Sequence, residues 1–392
     1  MTPLQNLPQS WRRLIFFLPV LVTLILATGF YNGLIPKPPL PKVVFDDPAA
    51  GPFHQTCGAG PPPAALDSLP DVIRALWAPL VLPITAPAFT TIDGEKKRLP
   101  PPSQLIHTEP LGQRICILDL DNREFADNGD IFSSRLPAWD NLGGPAAGFL
   151  SHYLYAMIHG YSYKFIRAPK YADRAPHWAK VVFTREMLKQ YDVVVMVDSD
   201  AMFATPQVPL EWLLNYWKIG PDALVAMPED PAGDPNFDAR RRVNVNSGFI
   251  IAQAGEKTQR LFRDWAECPS ETRYPGCAVW KERPFHEQSA FSSHVRYNFL
   301  DGYSIDSHPQ YIRTIPCHEA NGYPEVSGCG CVGQFVRHYW AHKNLTIPEF
   351  NHNIMAALTP LLVQAAYKQP GIVEDYRAKV LDGAQILDRR AR

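Results

Sequence analysis

A strongly apolar strand pattern that ends in two carboxylates limits the possible folds of this chain more than any other part of its sequence. Residues 191–203 read YDVVVMVDSDAMF, so Asp198 and Asp200 follow the apolar run one residue apart. Side chains alternate along a strand, and both carboxylates therefore project the same way at its carboxyl end, the edge where open α/β sheets bind ligands. Two hard oxygen donors aimed together favour a divalent cation. A solvated acidic turn after a core strand fits the same short pattern.

The surrounding sequence alternates between strand and helix patterns. The predicted elements in chain order are a strand at 115–120, a helix at 148–159, a strand at 161–166, a helix at 178–190, the acidic strand, and strands at 223–227 and 249–252. This alternation predicts an α/β domain whose mostly parallel sheet has helices on both faces. The 392 residues carry a formal net charge of −1, so no basic field indicates a nucleic-acid partner.

The amino end has the pattern of a membrane anchor. Residues 14–31 contain no charged side chain, and Arg12 and Arg13 stand immediately before them. The length and the basic flank predict one transmembrane signal-anchor helix, with residues 1–13 in the cytoplasm and the rest of the chain in the lumen. The alternative is a cleaved signal peptide ending near 27–29, but the apolar run exceeds the roughly 7–15 residues of a usual signal core.

A proline-rich segment follows this predicted anchor. Residues 36–110 hold 17 of the 39 prolines, and proline lacks the amide donor that helices and sheets need. We expect residues 32–112 to form a mostly extended stem, with a helix-like patch at 65–80 as an exception. Residues 113–392 are then expected to form the folded domain, with a helical C-terminal tail.

The seven cysteines are too few for a disulfide-built fold, but a lumenal domain can oxidise some of them. The candidate local bridges are Cys268 with Cys277, and Cys317 with Cys329 or Cys331. The C-G-C triplet at 329–331, with histidines nearby, is also compatible with zinc, although the sequence has no C-x-x-C pair to complete such a site. Cys116 falls inside a predicted strand and is expected to be a buried free thiol.

Short motifs follow one another in a fixed order between residues 113 and 343. They are Tyr155-Ala156, His159-Gly160-Tyr161, His177-Trp178-Ala179-Lys180, Asp198-Ser199-Asp200-Ala201, Asn246-Ser247-Gly248-Phe249, Glu287-Gln288-Ser289-Ala290 and Phe335-Val336-Arg337-His338. In order and spacing the set resembles the family of fungal α-galactosyltransferases and α-mannosyltransferase subunits, which also includes plant xyloglucan xylosyltransferases. The resemblance implies a retaining glycosyltransferase of GT-A fold, with a Rossmann-like sheet, on the lumenal side of the Golgi membrane as a single-pass type II protein.

The resemblance also assigns a metal site. Asp198 and Asp200 match the family's D-x-D ligands, with Asp198 shared between the metal and the donor ribose, and His338 matches the histidine that completes the site. Lys343 takes the place of a lysine near the departing diphosphate. Manganese, or another divalent cation, accepts such carboxylate and imidazole ligands. His342, four residues after His338, is an alternative ligand.

Further residues match the family's sugar and nucleotide contacts. Gln288 corresponds to a catalytic glutamine near the anomeric carbon, Glu287 to an acid that binds sugar hydroxyls, and Asn246, Ser247 and Gly248 to the turn that lines the sugar pocket. Lys180 is a candidate phosphate contact, with a solvated helix charge as the alternative, and Trp178 is expected to pack in the core. The chain departs from the family pattern at two places. His286 stands where the family has an acid, and Ala341-His342 stand where the family has Gly-Cys.

Hexose transfer is the function that the resemblance implies. The expected donor is UDP-galactose or GDP-mannose, and the expected acceptor is a glycan or glycoprotein, with partner glycosyltransferases in the same membrane. Retention by same-face attack and by a covalent intermediate both stay open. One alternative is a non-catalytic GT-A-like scaffold subunit. Another is a phosphatase built on Asp119 and Asp121, but Arg123 stands where that fold has threonine or valine.

The basic flank and the uncharged span predict that residues from 113 onward are lumenal. Protease treatment of sealed microsomes should therefore leave the folded domain intact, and detergent should make it digestible. Digestion without detergent would show the opposite orientation.

Overall fold

The structure is a computed structural model that describes residues 68–125, 129–133, 135, 137–299, 311–322 and 330–369. Within these residues the strands are β1 (Ala88–Thr90), β2 (Lys96–Arg98), β3 (Ile115–Asp121), β4 (Ser162–Arg167), β5 (Val193–Val197), β6 (Ala201–Phe203), β7 (Val225–Pro228), β8 (Phe249–Gln253), β9 (Ile312–Ile315) and β10 (Val336–His338).

Helices alternate with most of these strands. Apart from short 3₁₀ turns, the described residues form α1 (Leu69–Trp77), α2 (Gly144–His159), α3 (Ala179–Met187), α4 (Leu210–Tyr216), α5 (Glu256–Ala266), α6 (His286–Ser293), α7 (Cys317–Ala320) and α8 (Thr346–Lys368). The α/β class predicted from the alternating patterns is confirmed.

The central sheet has six strands in the order β4-β3-β5-β8-β7-β9. Strand β3 runs parallel to β4 and β5, and β7 runs parallel to β9, whereas β8 is antiparallel to both of its neighbours. The sheet is therefore mostly parallel, as predicted. The reversal of β8 has a consequence for the site, because the residues that precede β8 lie beside the carboxyl end of β5.

Strand β5 is buried on both faces because every side chain in it is apolar. Val193, Val195 and Val197 face a core that includes side chains of α2 and α4, and Val194 and Met196 face a second core that includes side chains of α3, α5 and α6. Burying one such aliphatic side chain stabilises the fold by about 1.5–3 kcal/mol. The apolar run thus places the end of β5 in the middle of the domain.

The predicted elements agree with the structure within a few residues. Helix α2 begins at Gly144, four residues before the predicted start, because Pro145 fits the first turn of a helix. Strand β4 and helix α3 each shift by about one residue at the start, and α3 ends at Met187. Trp178 is 1% exposed and its Nε1 donates to the carbonyl oxygen of Trp280, so the packing role predicted for it is confirmed.

Residues 68–112 differ from a simple extended stem. They contain α1 and the β1–β2 hairpin, and Trp212 Nε1 donates to the carbonyl oxygen of Ala86 at 2.9 Å. Asn215 accepts from the amides of Ile106 and His107, 2.9 Å from each. The prolines of this segment limit its regular structure, but they do not prevent its side chains and amides from packing against later parts of the chain.

Two disulfides lie in the described residues, Cys268–Cys277 and Cys317–Cys331. The first is the predicted pair, and the second is one of the two predicted options for Cys317. Because Cys331 is oxidised, it is not available as a zinc ligand. Cys116 is a buried free thiol, as expected, and burial raises its pKa to about 12.

The predicted cytoplasmic tail, the predicted anchor and the first part of the predicted stem, residues 1–67, lie outside the described residues. Residues 370–392 also lie outside them. No helix among the residues that the structure describes has the length and apolar character required to cross a membrane.

His159, the last residue of α2, makes the stability of the fold depend on pH. Its Nε2 donates to the carbonyl oxygen of Pro206 at 2.8 Å, and burial lowers its pKa from 6.5 to about 4. The unfolded chain therefore binds more protons than the folded chain between pH 4 and 6.5, and stability falls as the pH falls through this window, by about 3 kcal/mol at most. In His159→Gln, which keeps an amide donor, urea unfolding at pH 4.5 and pH 7 should differ less than in the wild type. Equal pH dependence in the two proteins would contradict this assignment.

Candidate metal and donor site

The two carboxylates of the D-x-D motif lie in the turn between β5 and β6. The amide of Asp198 donates to the carbonyl oxygen of Gly248 at 2.8 Å. The amide of Ala201 donates to the carbonyl oxygen of Asp198, also at 2.8 Å. Asp200 is 4% exposed, which excludes a solvated acidic turn. Burial of a carboxylate is unfavourable without positive or hydrogen-bonding partners, so its surroundings are informative.

His338 reaches Asp200 from the far end of the domain. Strand β10 pairs antiparallel with β6 and sets His338 opposite Ala201, while the amide of Tyr339 donates to the carbonyl oxygen of Asp200 at 2.7 Å. His338 Nε2 lies 3.4 Å from Asp200 Oδ1, and one ligand atom each from Asp198, Asp200 and His338 lie within 4.8 Å of one another. The structure therefore brings the three predicted metal ligands together.

Positive charge keeps Asp200 ionised. Burial alone would raise its pKa, but the hydrogen bond and charge of His338 and the ammonium group of Lys343, 2.8 Å away, hold the pKa of Asp200 well below its usual range. Burial opposes the charged form of His338, yet Asp200 raises the pKa of this imidazole. The Lys343 side chain is 57% exposed, so its ammonium group can also reach a ligand in solvent.

The described ligand cluster contains His338 and not His342, whose side chain is exposed. The amide oxygen of Asn321 lies 2.9 Å from His338 Nδ1, which makes Nδ1 the proton donor and leaves Nε2 turned toward the carboxylates. Gly248 is required beside this ring, because a Cβ there would stand 2.4 Å from His338 Cε1. Two carboxylates and an imidazole held in one orientation by an outer partner fit a divalent cation.

Lys180 links the metal cluster to the predicted sugar pocket. This residue in α3 is 6% exposed, and its Nζ lies 2.7 Å from Asp198 Oδ2 and 3.4 Å from Glu287 Oε1. Although burial opposes an ammonium group, the two carboxylates raise the pKa of Lys180. The alternative of a solvated helix charge is excluded, and the ion pairs fix Asp198 and Glu287 relative to each other.

The turn 246–248 and the start of α6 form the next part of the site. Ser247 donates through Oγ to Glu287 Oε1 at 2.8 Å and through its amide to Gln288 Oε1 at 3.0 Å. The amide of Gly248 donates to Asn246 Oδ1 at 2.8 Å. The structure thus brings together all the residues predicted to contact metal, nucleotide and sugar, at the carboxyl edge of the sheet.

Two further residues of the site, Asp230 and Asn321, were missed by the sequence reasoning. Asp230 accepts hydrogen bonds from Gln288 Nε2 and Asn246 Nδ2, each at 2.8 Å, and from Asn321 Nδ2 at 3.2 Å. Burial raises the pKa of Asp230 against the effect of its hydrogen bonds to Asn246 and Asn321. Asp230 follows the buried strand β7 at its carboxyl end, and this signal could have identified it. Asn321 has no comparable signal.

The second D-x-D is part of the core. Asp119 is fully buried, with Oδ1 2.8 Å from His152 Nδ1 and Oδ2 accepting from the Tyr163 hydroxyl at 2.7 Å. Asp121 is paired with Arg123, whose Nε donates to its Oδ2 at 2.9 Å. Asp119 has no free oxygen for a nucleophilic role, so the phosphatase alternative is disfavoured.

Comparison with known proteins gives one family match and several structural similarities. A family model described as nucleotide-diphospho-sugar transferase matches residues 174–356, which include the D-x-D turn, α6 and His338. No curated protein sequence matches the chain. The family match supports the broad class of nucleotide-sugar transferases, and the narrower fungal α-galactosyltransferase and α-mannosyltransferase assignment stays a prediction.

Three solved structures to which the chain is similar are glycosyltransferases. One is a glycosyltransferase involved in the glycosylation of the major capsid of PBCV-1. It shares 13% sequence identity with this chain at a TM-score of 0.39, and the match covers 62% of this chain and 98% of that one. GlyE of Streptococcus pneumoniae TIGR4 has 10% identity and a TM-score of 0.37, covering 65% and 64%. Mouse xyloside xylosyltransferase 1 has 8% identity and a TM-score of 0.33, covering 58% and 98%.

Gly148 of α2 supports the D-x-D turn by its lack of a side chain. A Cβ there would stand 1.9 Å from the carbonyl oxygen of Ser199, between the two carboxylates. We expect Gly148→Ala to displace the turn and reduce activity roughly 100-fold, since a shift of about 1 Å in a site has effects of this size. The matched control is Gly233→Ala, where the added methyl meets nothing within 4 Å. Donor hydrolysis that is equal in both variants would contradict the prediction.

Proposed function

We propose that the protein is a metal-dependent glycosyltransferase that uses a nucleotide-sugar donor. The observation that carries this proposal is the convergence of Asp198, Asp200 and His338 beside Lys180 and Lys343 at the carboxyl edge of a mostly parallel sheet. The match of residues 174–356 to nucleotide-diphospho-sugar transferases supports the same reaction class. The resemblance noted in the sequence adds the GT-A fold and retention of anomeric configuration to the proposal.

Asp198, Asp200 and His338 would hold the divalent cation, with manganese as the proposed ion. When bound, the cation supplies Lewis-acid stabilisation of the negative charge that grows on the departing diphosphate. Lys343 adds a second positive charge beside Asp200, and because its side chain is exposed, its flexible ammonium group can follow the phosphate oxygens. Lys180 is already paired with two carboxylates, so its proposed role is to hold Asp198 and Glu287 in place.

Glu287 and Gln288 would contact the transferred sugar. Ser247 hydrogen-bonds to both side chains, and Asp230 accepts from Gln288 Nε2, so their orientations are set before the donor binds. Polar groups held in place in this way stabilise developing charge without reorganisation during the reaction. Gln288 is the proposed catalytic side chain at the anomeric carbon. Same-face attack and a covalent intermediate are both compatible with this arrangement.

The proposed donor is UDP-galactose or GDP-mannose, and the proposed acceptor is a glycan or glycoprotein in the secretory pathway. Asn246, Ser247 and Glu287 provide polar groups for several sugar hydroxyls, which favours a hexose. Residues 14–31 support a membrane anchor, and the family resemblance adds a Golgi location, where the site would meet such acceptors. Partner glycosyltransferases in the same membrane complete the proposal.

A donor screen tests the reaction class and the donor together. The purified full chain should hydrolyse one of the two hexose donors with Mn²⁺ and lose this activity in chelator. Asp200→Asn should lower the rate on the order of 100-fold or more, since removing a ligand sacrifices several kcal/mol of charge stabilisation. The matched control is Asp222→Asn, an exposed carboxylate away from the cluster.

The outcomes separate the levels of the proposal. Efficient use of UDP-xylose or UDP-N-acetylglucosamine, with both hexose donors ignored, would refute the hexose assignment and leave the transferase class standing. No turnover of any nucleotide-sugar by a chain that still binds Mn²⁺ would favour the non-catalytic scaffold. Full activity of Asp200→Asn in chelator would refute metal dependence.

A further inference from the structure

The β1–β2 hairpin lies far from the metal cluster in sequence and precedes the segment that matches the transferase family. It packs against the domain through Phe89, whose ring centroid is 6.2 Å from that of Trp212 and 6.1 Å from that of Phe335. Side chains alternate in β2, so that Lys97 is buried while Lys96 and Arg98 are exposed. A buried lysine in a three-residue strand requires a specific partner.

The buried partner of Lys97 is Glu319 in α7. Lys97 Nζ lies 3.1 Å from Glu319 Oε1, and both side chains are only 6% exposed. Glu319 also accepts from the Tyr216 hydroxyl at 2.8 Å and from Trp217 Nε1 at 2.7 Å. All of these contacts fix the position of α7, and loss of Lys97 would leave this buried carboxylate without its ammonium partner.

A second contact joins the hairpin to the segment that leads into β10. Gln334 is 2% exposed, and its Nε2 donates to Asp93 Oδ2 at 2.8 Å and to Glu95 Oε2 at 2.7 Å. Glu95 in turn lies 2.8 Å from Lys97 Nζ. The hairpin therefore binds α7 and the approach to β10 with one connected set of charged and polar groups.

The two segments that the hairpin binds are joined to each other and carry the far side of the metal cluster. The amide of Phe335 donates to the carbonyl oxygen of Glu319 at 2.8 Å, and the amide of His338 donates to that of Gly322 at 2.8 Å. Asn321 follows α7 directly and holds the His338 ring through Nδ1 at 2.9 Å. A displacement of α7 would therefore turn the His338 imidazole.

We propose that the β1–β2 hairpin is a positioning element of the metal site, in which Lys97 acts through Glu319 and Asn321 to orient His338. Lys97 and Gln334 are positioning residues, since neither touches the metal ligands. This proposal rests on the metal site of the proposed function. It assigns part of the predicted stem to the support of that site, and residues 88–98 are then needed for metal binding as well as for folding.

The test measures Mn²⁺ affinity of the purified full chain by isothermal titration calorimetry and, on the same samples, the temperature of thermal unfolding. Lys97→Met should weaken Mn²⁺ binding by up to about 10-fold, because Lys97 acts through Asn321, and loss of a residue that contacts a metal ligand directly costs roughly 10–100-fold. Lys96→Met, an exposed lysine in the same strand, is the matched control and should bind Mn²⁺ like the wild type. The double variant Lys97→Met/Glu319→Gln removes both buried charges and should recover the unfolding temperature while its Mn²⁺ affinity stays weak.

Wild-type affinity in Lys97→Met, or recovery of affinity together with thermal stability in the double variant, would overturn the proposal, because the pair would then be merely structural. If Lys97→Met does not fold, the Mn²⁺ affinity of the double variant decides: weak binding supports the proposal, and wild-type binding overturns it. A wild-type chain that binds no Mn²⁺ would overturn both this proposal and the metal site of the proposed function. Binding in the wild type with no effect of either variant would overturn the hairpin proposal alone.

Discussion

The charge of a single buried carboxylate, Asp200, organises the site of this protein. A carboxylate that is 4% exposed requires positive or hydrogen-bonding partners, and those partners are His338 and Lys343. Both come from the far end of the domain, so the β6–β10 pairing that delivers them is the link between the central sheet and the carboxyl-terminal segment. In the proposed function His338 would bind the cation together with Asp200, and Lys343 would contact the diphosphate.

A continuous polar network extends from this centre. Lys180 pairs with Asp198 and Glu287, and Asp230 connects Gln288 to Asn321, which holds His338. The groups proposed to bind the cation and the sugar are therefore connected through the protein before any ligand arrives. Buried networks of this kind are rigid when every member has a partner, and rigidity is what a site needs to stabilise charge that develops during a reaction.

Local patterns predicted five of the six strands of the central sheet, but they missed β9 and did not give the direction of β8. Val193 to Val197 form an apolar run with one possible location, the middle of a covered sheet, and the prediction of β5 was correct. The reversal of β8 was not predicted, because side chains alternate in the same way whichever direction a strand runs. Strands β6 and β10 have three residues each, too few to show a period.

The sequence was sufficient to predict the α/β class, the D-x-D motif at the end of a buried strand and, through a family resemblance carried by ordered motifs, most of the residues that meet at the site. Asp230 and Asn321 were recognised as part of the site from the folded structure alone, and so was the support proposed for the hairpin around Lys97. The periodicity of apolar side chains depends on the local conformation of one segment. The partner of a buried charge depends on contacts between segments that are distant in sequence. Lys97 and Glu319 have no common pattern, and only the folded chain brings them within 3.1 Å.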